Sequence, residues 1–161
     1  MPAPQRKIRL SFPATGESAV AQLLDEEAPN VCQQIWDWLP VEHKAIHGQV
    51  SGPEVFVLLN DPKPLPAEQM VQLPLPGEIL YFFDPGGSVI SGRQASAEIC
   101  VVYDRGTVLR GPEGVPTYAS LFARIPGDWK HDWMGFAQAC RRVRWEGPQL
   151  LRIERLEECA P

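Results

Sequence analysis

Residues 23–40 have the sequence LLDEEAPNVCQQIWDWLP, and this segment decides the fold because it changes from strand to helix within a few residues. Pro29 suits the first turn of a helix, where its missing N–H would have no partner in any case. Glu26 and Glu27 place negative charge near the positive end of that helix. Pro40 prevents the helix from continuing. The segment therefore predicts a short helix that covers a sheet with one apolar face, formed by Cys32, Ile35, Trp36 and Leu39.

Short runs of alternating or β-branched residues around this segment predict strands. Residues 7–12 and 19–24 alternate apolar and polar side chains across a turn, which predicts a hairpin. Further strands are predicted at 54–59, 78–83, 97–103 and 118–125, with weaker patterns at 69–73, 88–90, 107–109 and 149–155.

A second helix is predicted over residues 128–144, where Asp128 can serve as the N-cap. Its apolar face consists of Trp133, Phe136, Ala137, Cys140 and Val143. Many short strands with two helices, and no strand–helix alternation, predict a mainly β fold. We expect a closed barrel of roughly eight strands, with both helices capping its openings.

Length, charge and cysteine spacing limit the functions available to the chain. A chain of 161 residues with 44% hydrophobic residues predicts one domain over residues 1–161. A formal charge of -5 without clustered Lys and Arg argues against a nucleic-acid partner. No apolar run reaches the length of a signal peptide or membrane span, so we expect a cytoplasmic protein without a membrane partner. The four cysteines lack C-x-x-C spacing, which is typical of buried thiols rather than disulfides or metal ligands.

The order of these segments resembles that of a known family. It is carried by the hairpin, the D-x-x-A-P motif at 25–29, the run SGPEVFVLL at 51–59 and the motif L-P-G-E-I-x-Y at 75–81. Residues 8–156 resemble the cyclophilin-like bacterial and archaeal proteins of unknown function, the DUF3830-type family. The resemblance implies a closed barrel of roughly eight strands with capping helices, and assembly into homo-oligomers.

True cyclophilins are prolyl isomerases, and comparison with them argues against that activity. They carry an Arg on the strand that follows the first helix. The sequence assigns this place to residues 52–60, GPEVFVLLN, which contain no Arg. Without that group the reacting amide lacks its charged hydrogen-bond donor. A degenerate prolyl isomerase is therefore the least favoured function.

The most concentrated polar chemistry lies in residues 42–54, EHKAIHGQVSGPE. His43 and His47 are four residues apart, so a helix here would place both rings on one face, as in some metal sites. The H-E-x-x-H form is missing, and we expect no metal. His47 has an ordinary pKa near neutrality and adjoins Gly48, where backbone can approach a ligand. This predicts His47 as a general base.

Three carboxylates start otherwise apolar strands: Glu54, Glu78 and Glu98. A carboxylate in this position is usually a solvated strand end. One that pointed into the barrel would have a raised pKa and would need a cation, for which Arg93 and Arg110 are candidates. This predicts Glu54 as the second catalytic residue, with Arg93 or Arg110 orienting an anionic group of the ligand.

The remaining predicted ligand contacts are Ser51, Tyr81 and Tyr118, whose hydroxyls can hydrogen bond inside a pocket. The Gly-rich turn at 82–93 lacks the spacing of a phosphate-binding loop, and no cofactor is expected. The leading hypothesis is a barrel that binds a small polar metabolite, a carboxylate or cyclic amide, at its mouth or at a subunit interface. Whether it is an acid–base enzyme stays open. The alternative is a non-catalytic scaffold, suggested by five tryptophans and the lack of a strong motif.

Overall fold

The computed structural model describes residues 4–87, 92–111 and 113–157. In these ranges the chain forms mostly strands, together with two helices. The strands are β1 (Lys7–Ser11), β2 (Ser18–Leu23), β3 (Val41–His47), β4 (Glu54–Leu58), β5 (Met70–Val71), β6 (Glu78–Asp84), β7 (Ser96–Val102), β8 (Ala119–Arg124) and β9 (Gln149–Leu156). The helices are α1 (Pro29–Trp38) and α2 (Met134–Glu146). The strand pattern at 88–90 and the centre of the Gly-rich turn lie outside the described residues.

The strands form one antiparallel sheet that closes on itself. Hydrogen-bonded neighbours follow the order β2-β1-β9-β3-β4-β7-β6-β8, and β8 then pairs with β2 where Ala123 faces Leu23. The two-residue strand β5 pairs with the remaining part of β8, where Met70 faces Ser120. The predicted fold class is confirmed, since the fold is mainly β and consists of a closed eight-stranded barrel with two helices.

Helix α1 lies where the sequence predicts it, with most of the predicted buried face. Its fully buried side chains are Val31, Cys32 and Ile35. Trp36 is only partly buried, and the guanidinium groups of Arg6 and Arg155 lie over its ring, 5.1 and 5.3 Å from the centroid. The exposed side of α1 thus carries a cation–π cluster that hydrophobic periodicity alone assigns to the core.

The N-terminus of α1 is satisfied by a residue from a distant loop. The first turn contains no acidic residue. Instead, the carboxylate of Glu68 accepts hydrogen bonds from the backbone N–H groups of Asn30, at 3.2 Å, and Val31, at 2.9 Å. A negative charge at this end stabilises the helix through its exposed N–H groups and its dipole. Glu26 and Glu27, which precede the helix, are exposed.

Helix α2 has the predicted apolar face but begins later than predicted. Residues 128–133 form a turn in which the Asp128 carboxylate accepts from the Lys130 N–H at 2.8 Å. The helix itself starts at Met134 and lies against β2, β3 and β4. Among the described residues, neither helix combines the length and the apolar character needed to cross a bilayer.

Residues 41–47 form strand β3 and not the helix or loop considered for the two histidines. The strand that follows α1 is therefore β3 rather than the run at 52–60, and neither of them contains Arg. Along a strand, His43 and His47 are separated by about 13 Å, because each residue advances the chain by about 3.3 Å. The helical spacing that would bring both rings to one metal ion does not form.

The barrel strands separate two apolar clusters. The inner faces of the strands and the buried faces of both helices form the main core, which fills the barrel with side chains such as Ile8, Ile79 and Ile99. A second cluster lies outside the barrel and contains Leu80, Cys100 and Leu109. Residues 107–109, predicted as a strand, instead cross over this outer face, held by a hydrogen bond from the Val108 N–H to the Ser51 carbonyl. The two residues that follow this crossing segment, Arg110 and Gly111, line the cleft described next.

Candidate functional site

A cleft of about 250 Å³ lies on the outer face of the barrel, over β4 and β7. Strand alternation determines which side chains reach it, because Phe56 of β4 faces Cys100 of β7 and their side chains point outward. Residues two positions away along each strand share that face, which brings Glu54 and Glu98 to the same side. The lining residues include Ile46, Gly48, Ser51, Glu54, Phe56, Phe82, Glu98 and Arg110.

The carboxyl group of Glu54 is buried in the cleft and only partly hydrogen bonded. Its residue is 4% exposed, and Oε2 has no hydrogen-bond partner among the described residues. Burial raises the pKa of Glu54 to about 7, and the negative charge of Glu98 adds to the rise. The nearby Ser51 hydroxyl and Cys100 thiol oppose the rise without cancelling it.

Glu98 occupies a similar environment on the neighbouring strand. Burial raises its pKa to about 7, and the charge of Asp84 contributes in the same direction. The Cys100 thiol donates to its Oε1 at 3.2 Å and opposes the rise. Cys100 is itself buried between the two carboxyl groups, and its pKa is raised well above the ordinary value by burial and by their charges. It is a neutral donor here, since a reactive cysteine needs a lowered pKa.

Gly48 and Ser51 give the cleft its shape. A Cβ on Gly48 would lie 2.7 Å from Cγ and 2.9 Å from Oε1 of Glu54, so only glycine leaves room for this side chain. The Ser51 hydroxyl accepts a hydrogen bond from the Arg110 backbone N–H at 3.0 Å. That bond ties the crossing segment to the β3–β4 connection, and it positions Arg110 at the rim.

His47, the predicted general base, lies on the other face of the sheet. It faces Val55 in the β3–β4 ladder and points inward, whereas Glu54 points outward, so the structure does not bring the predicted catalytic pair together. Its Nδ1 lies 2.7 Å from the Gly48 carbonyl and its Nε2 lies 2.7 Å from the Tyr103 hydroxyl. A carbonyl only accepts, so we assign the proton of the neutral ring to Nδ1, and Nε2 accepts from Tyr103. Burial lowers the pKa of His47, which keeps the ring neutral.

The two predicted arginines have different places in the structure. Arg93 pairs with Asp84 at 3.1 Å and with Glu113 at 2.9 Å, so its charge is already compensated. Arg110 lines the cleft at its rim, and its guanidinium donates to the Gly114 carbonyl at 3.0 Å. Of the predicted ligand contacts, Arg110 and Ser51 share the cleft with Glu54.

The predicted tyrosines lie elsewhere. Tyr81 and Tyr118 line a separate pocket of about 170 Å³. Tyr81 is buried and donates its hydroxyl proton to the Lys63 carbonyl, while Tyr118 is 55% exposed. They do not contribute to the cleft that contains Glu54.

The three carboxylates at strand starts are neither solvated ends nor groups inside the barrel. All three point outward, and Glu54 and Glu78 are buried on that face at 4% and 6% exposure. Glu78 is paired with Arg124 at 3.0 Å. From the sequence, Glu98 is predicted only as a strand end. The signal that could have found it is the register in which it and Glu54 reach one face.

Comparison with known proteins agrees with this architecture. Residues 10–154 match a family described as protein of unknown function, DUF3830. No curated protein matches the sequence at a significant level. The structure of McbB in complex with tryptophan is similar, with a TM-score of 0.68 and 19% identity over 96% of this chain and 46% of McbB. The solution structure of the hypothetical protein AF2241 from Archaeoglobus fulgidus has a TM-score of 0.54 and 16% identity, over 94% and 95% of the two chains. At these low identities the structural likeness shows a shared fold alone, and this chain spans about half the length of McbB.

Proposed function

Because the chain belongs to the DUF3830 family, whose function is unknown, we propose a function from the cleft itself: the protein binds a small polar metabolite and exchanges protons with it through Glu54 and Glu98. The observation that carries this proposal is the pair of carboxyl groups that face one cleft with pKa values of about 7. Glu98 thereby takes the place that the sequence assigned to His47.

Two such carboxyl groups can act as both acid and base near neutral pH. Their charges repel, so the first proton is lost more readily than the second, and one group is protonated while the other is ionised. Acid–base catalysis is most effective when the pKa of the catalytic group lies near the working pH. The pair therefore suits a reaction that removes a proton from one ligand atom and adds a proton to another. Isomerisation of a cyclic amide is a reaction of this kind. Hydrolysis of a cyclic amide would use the same pair differently, with the base taking a proton from the attacking water and the acid giving one to the nitrogen that leaves as the C–N bond breaks.

Two further observations support binding of a small molecule. The cleft volume of about 250 Å³ lies below the range of about 300–1,000 Å³ for drug-sized ligands, so it suits a small metabolite. The similar barrel of McbB was determined with tryptophan, which is a ligand of this size. The barrel interior is filled by apolar side chains, so the outer cleft is the better candidate.

A thermal-shift screen with amino acids, carboxylates and cyclic amides tests binding. We expect at least one compound to raise the melting temperature of the wild-type protein. Glu54→Gln and Glu98→Gln should reduce that shift, whereas the control Glu27→Gln, which changes an exposed carboxylate, should not. A screen without any stabilising compound, or equal shifts in all variants, would contradict the proposal.

Proton exchange needs a separate measurement. A compound found in the screen is incubated with the protein in D₂O, and NMR follows deuterium incorporation or conversion of the compound. Both glutamine variants should slow the change by about 10²-fold or more, because each removes an acid–base group. If the compound binds but shows no deuterium incorporation and no conversion, the protein is a binding protein and the proposed proton exchange is refuted.

A second function, a protein-interaction module, is favoured by exposed apolar side chains. Leu73 and Leu75 are each 65% exposed, and Trp145 is 72% exposed. Homo-oligomer formation, which the family resemblance implies, stays a prediction that sedimentation velocity would check. Cytoplasmic location likewise stays a prediction.

A further inference from the structure

Glu54, which is buried, and Glu98, which is half-buried, differ from the third strand-start carboxylate, Glu78, because neither pairs with a cation in the described part of the chain. Glu78 pairs with Arg124 at 3.0 Å. Within the described ranges 4–87, 92–111 and 113–157, neither Glu54 nor Glu98 takes part in an ion pair. A buried carboxylate without a counter-ion is unfavourable, and a ligand cation would remove that cost.

The Glu54 side chain, which lines the cleft, also has an acceptor without a hydrogen-bond partner in the described part of the chain. It is 4% exposed, and its Oε2 has no partner among the described residues. An ammonium group has three N–H donors and no acceptor, so it can serve this oxygen and a Glu98 oxygen together. Such bonds are stronger than neutral ones because both partners carry charge.

The rim of the cleft carries the opposite charge. Arg110 is exposed there, and in the described part of the chain its guanidinium contacts a carbonyl oxygen, of Gly114, rather than a carboxylate. It can therefore offer its remaining N–H donors to an anion. Phe56, which faces Cys100, and Phe82, which faces Glu98, supply apolar surface to the same cleft.

We propose, on the premise that the cleft binds a small metabolite, that its ligand is an amino-acid-like zwitterion. The ammonium group lies between Glu54 and Glu98, the carboxylate contacts Arg110, and the apolar part rests against Phe56 and Phe82. The arrangement selects against simple carboxylates, which would place negative charge beside two acids, and against simple amines, which would leave Arg110 without its partner.

Proton release on binding is a consequence of this geometry. An ammonium group beside two carboxyl groups favours their ionised forms and lowers their pKa values from about 7. Binding near pH 7 therefore releases protons, and binding at about pH 8.5, where both groups are already ionised, releases few. A neutral ligand bound through a protonated carboxyl group would show proton uptake instead.

The test is isothermal titration calorimetry with the standard L-amino acids as probes, at about pH 7 and in two buffers of different ionisation enthalpy. For the amino acid that binds most tightly, the analogue without its ammonium group and the analogue without its carboxylate are measured next. We expect each analogue to bind at least about tenfold more weakly, with proton release for the parent compound.

Variants assign each half of the ligand to its partner. Glu54→Gln should weaken binding of the amino acid by about tenfold or more, and it should not weaken binding of the analogue without an ammonium group, because it removes a charge that repels that analogue. Arg110→Gln should weaken binding of the amino acid, and it should not weaken binding of the analogue without a carboxylate. The matched control is Arg105→Gln, which changes an exposed arginine outside the cleft and should alter neither affinity.

The outcomes separate this inference from the proposed function. No binding by any amino acid, or equal binding of the analogue without an ammonium group, overturns the zwitterion assignment. The metabolite-binding proposal still stands in either case if the thermal-shift screen yields a compound of another class whose effect depends on Glu54 and Glu98. The metabolite-binding proposal itself is refuted if the thermal-shift screen yields no stabilising compound.

Discussion

Replacing Glu54 by glutamine should stabilise the protein at alkaline pH. In the folded state the pKa of Glu54 rises from its ordinary 4.5 to about 7 because the carboxyl group is buried. The folded state therefore binds more protons than the unfolded state within this window, and the free energy of unfolding falls as the pH rises through it. At about 1.36 kcal/mol for each pKa unit, the rise corresponds to about 3 kcal/mol. Glutamine has nearly the same shape and no charge, so it avoids this loss.

The assay is urea unfolding followed by circular dichroism, at about pH 5 and about pH 8.5. Wild-type protein should be less stable at the higher pH. Glu54→Gln should exceed it by up to about 3 kcal/mol there and by much less near pH 5. The control Glu27→Gln, at an exposed position, should follow the wild type at both values. A Glu54→Gln variant that gains nothing at the higher pH would refute the argument that a buried carboxylate without a cation destabilises this fold.

Glu17→Gln should lower the free energy of unfolding at neutral pH, because it removes the ion pair with Arg142 at 2.8 Å. The loss should be only about 1 kcal/mol, because solvent screens this pair. Hydrogen bonding to Arg142 lowers the pKa of Glu17 to about 2, so this loss should fade as the pH falls from 4.5 towards that value, and a pH series of unfolding curves checks it. Glu68→Ala should cost about 1 kcal/mol in urea unfolding by removing the acceptor at the start of α1, and an unchanged midpoint would contradict that role. Ile35→Ala should cost about 2–5 kcal/mol in the same assay because the side chain is fully buried, and a cost under about 1 kcal/mol would show that α1 packs loosely.

Local chemistry explains why the sequence predicts much of the fold. Pro29 and Pro40 bound α1 through their own backbone restrictions, whichever strands surround the helix. Alternating residues reveal β1 and β2, and short runs of β-branched and aromatic residues reveal β4, β6, β7 and β8, because both signals depend on residues close together in the chain. The polar segment at 41–47 carries no such pattern, and only its pairing with β9 makes it a strand.

The position of the cleft could not be predicted without the register of the closed sheet. Glu54 and Glu98 lie far apart in the chain and come to one face because β4 pairs with β7 so that Phe56 meets Cys100. Burial on this face raises their pKa values, and the face is shaped in part by the loop at 107–111, whose Val108 N–H bonds to the Ser51 carbonyl and whose Arg110 and Gly111 line the cleft. Neither the register nor the loop position can be computed from local patterns.

The sequence by itself determined the strands with regular alternation, the position of α1 and the absence of any strong catalytic motif, because these depend on residues close together in the chain. Tertiary structure alone decided that His47 turns inward to Tyr103, that Glu54 turns outward to Glu98, and that no arginine pairs with either acid in the described residues. Side chains on a strand alternate between faces, so a shift of one residue in pairing would exchange these two environments. The register therefore decides that His47 makes a structural hydrogen bond inside the barrel, whereas Glu54, on the neighbouring strand, lines the cleft.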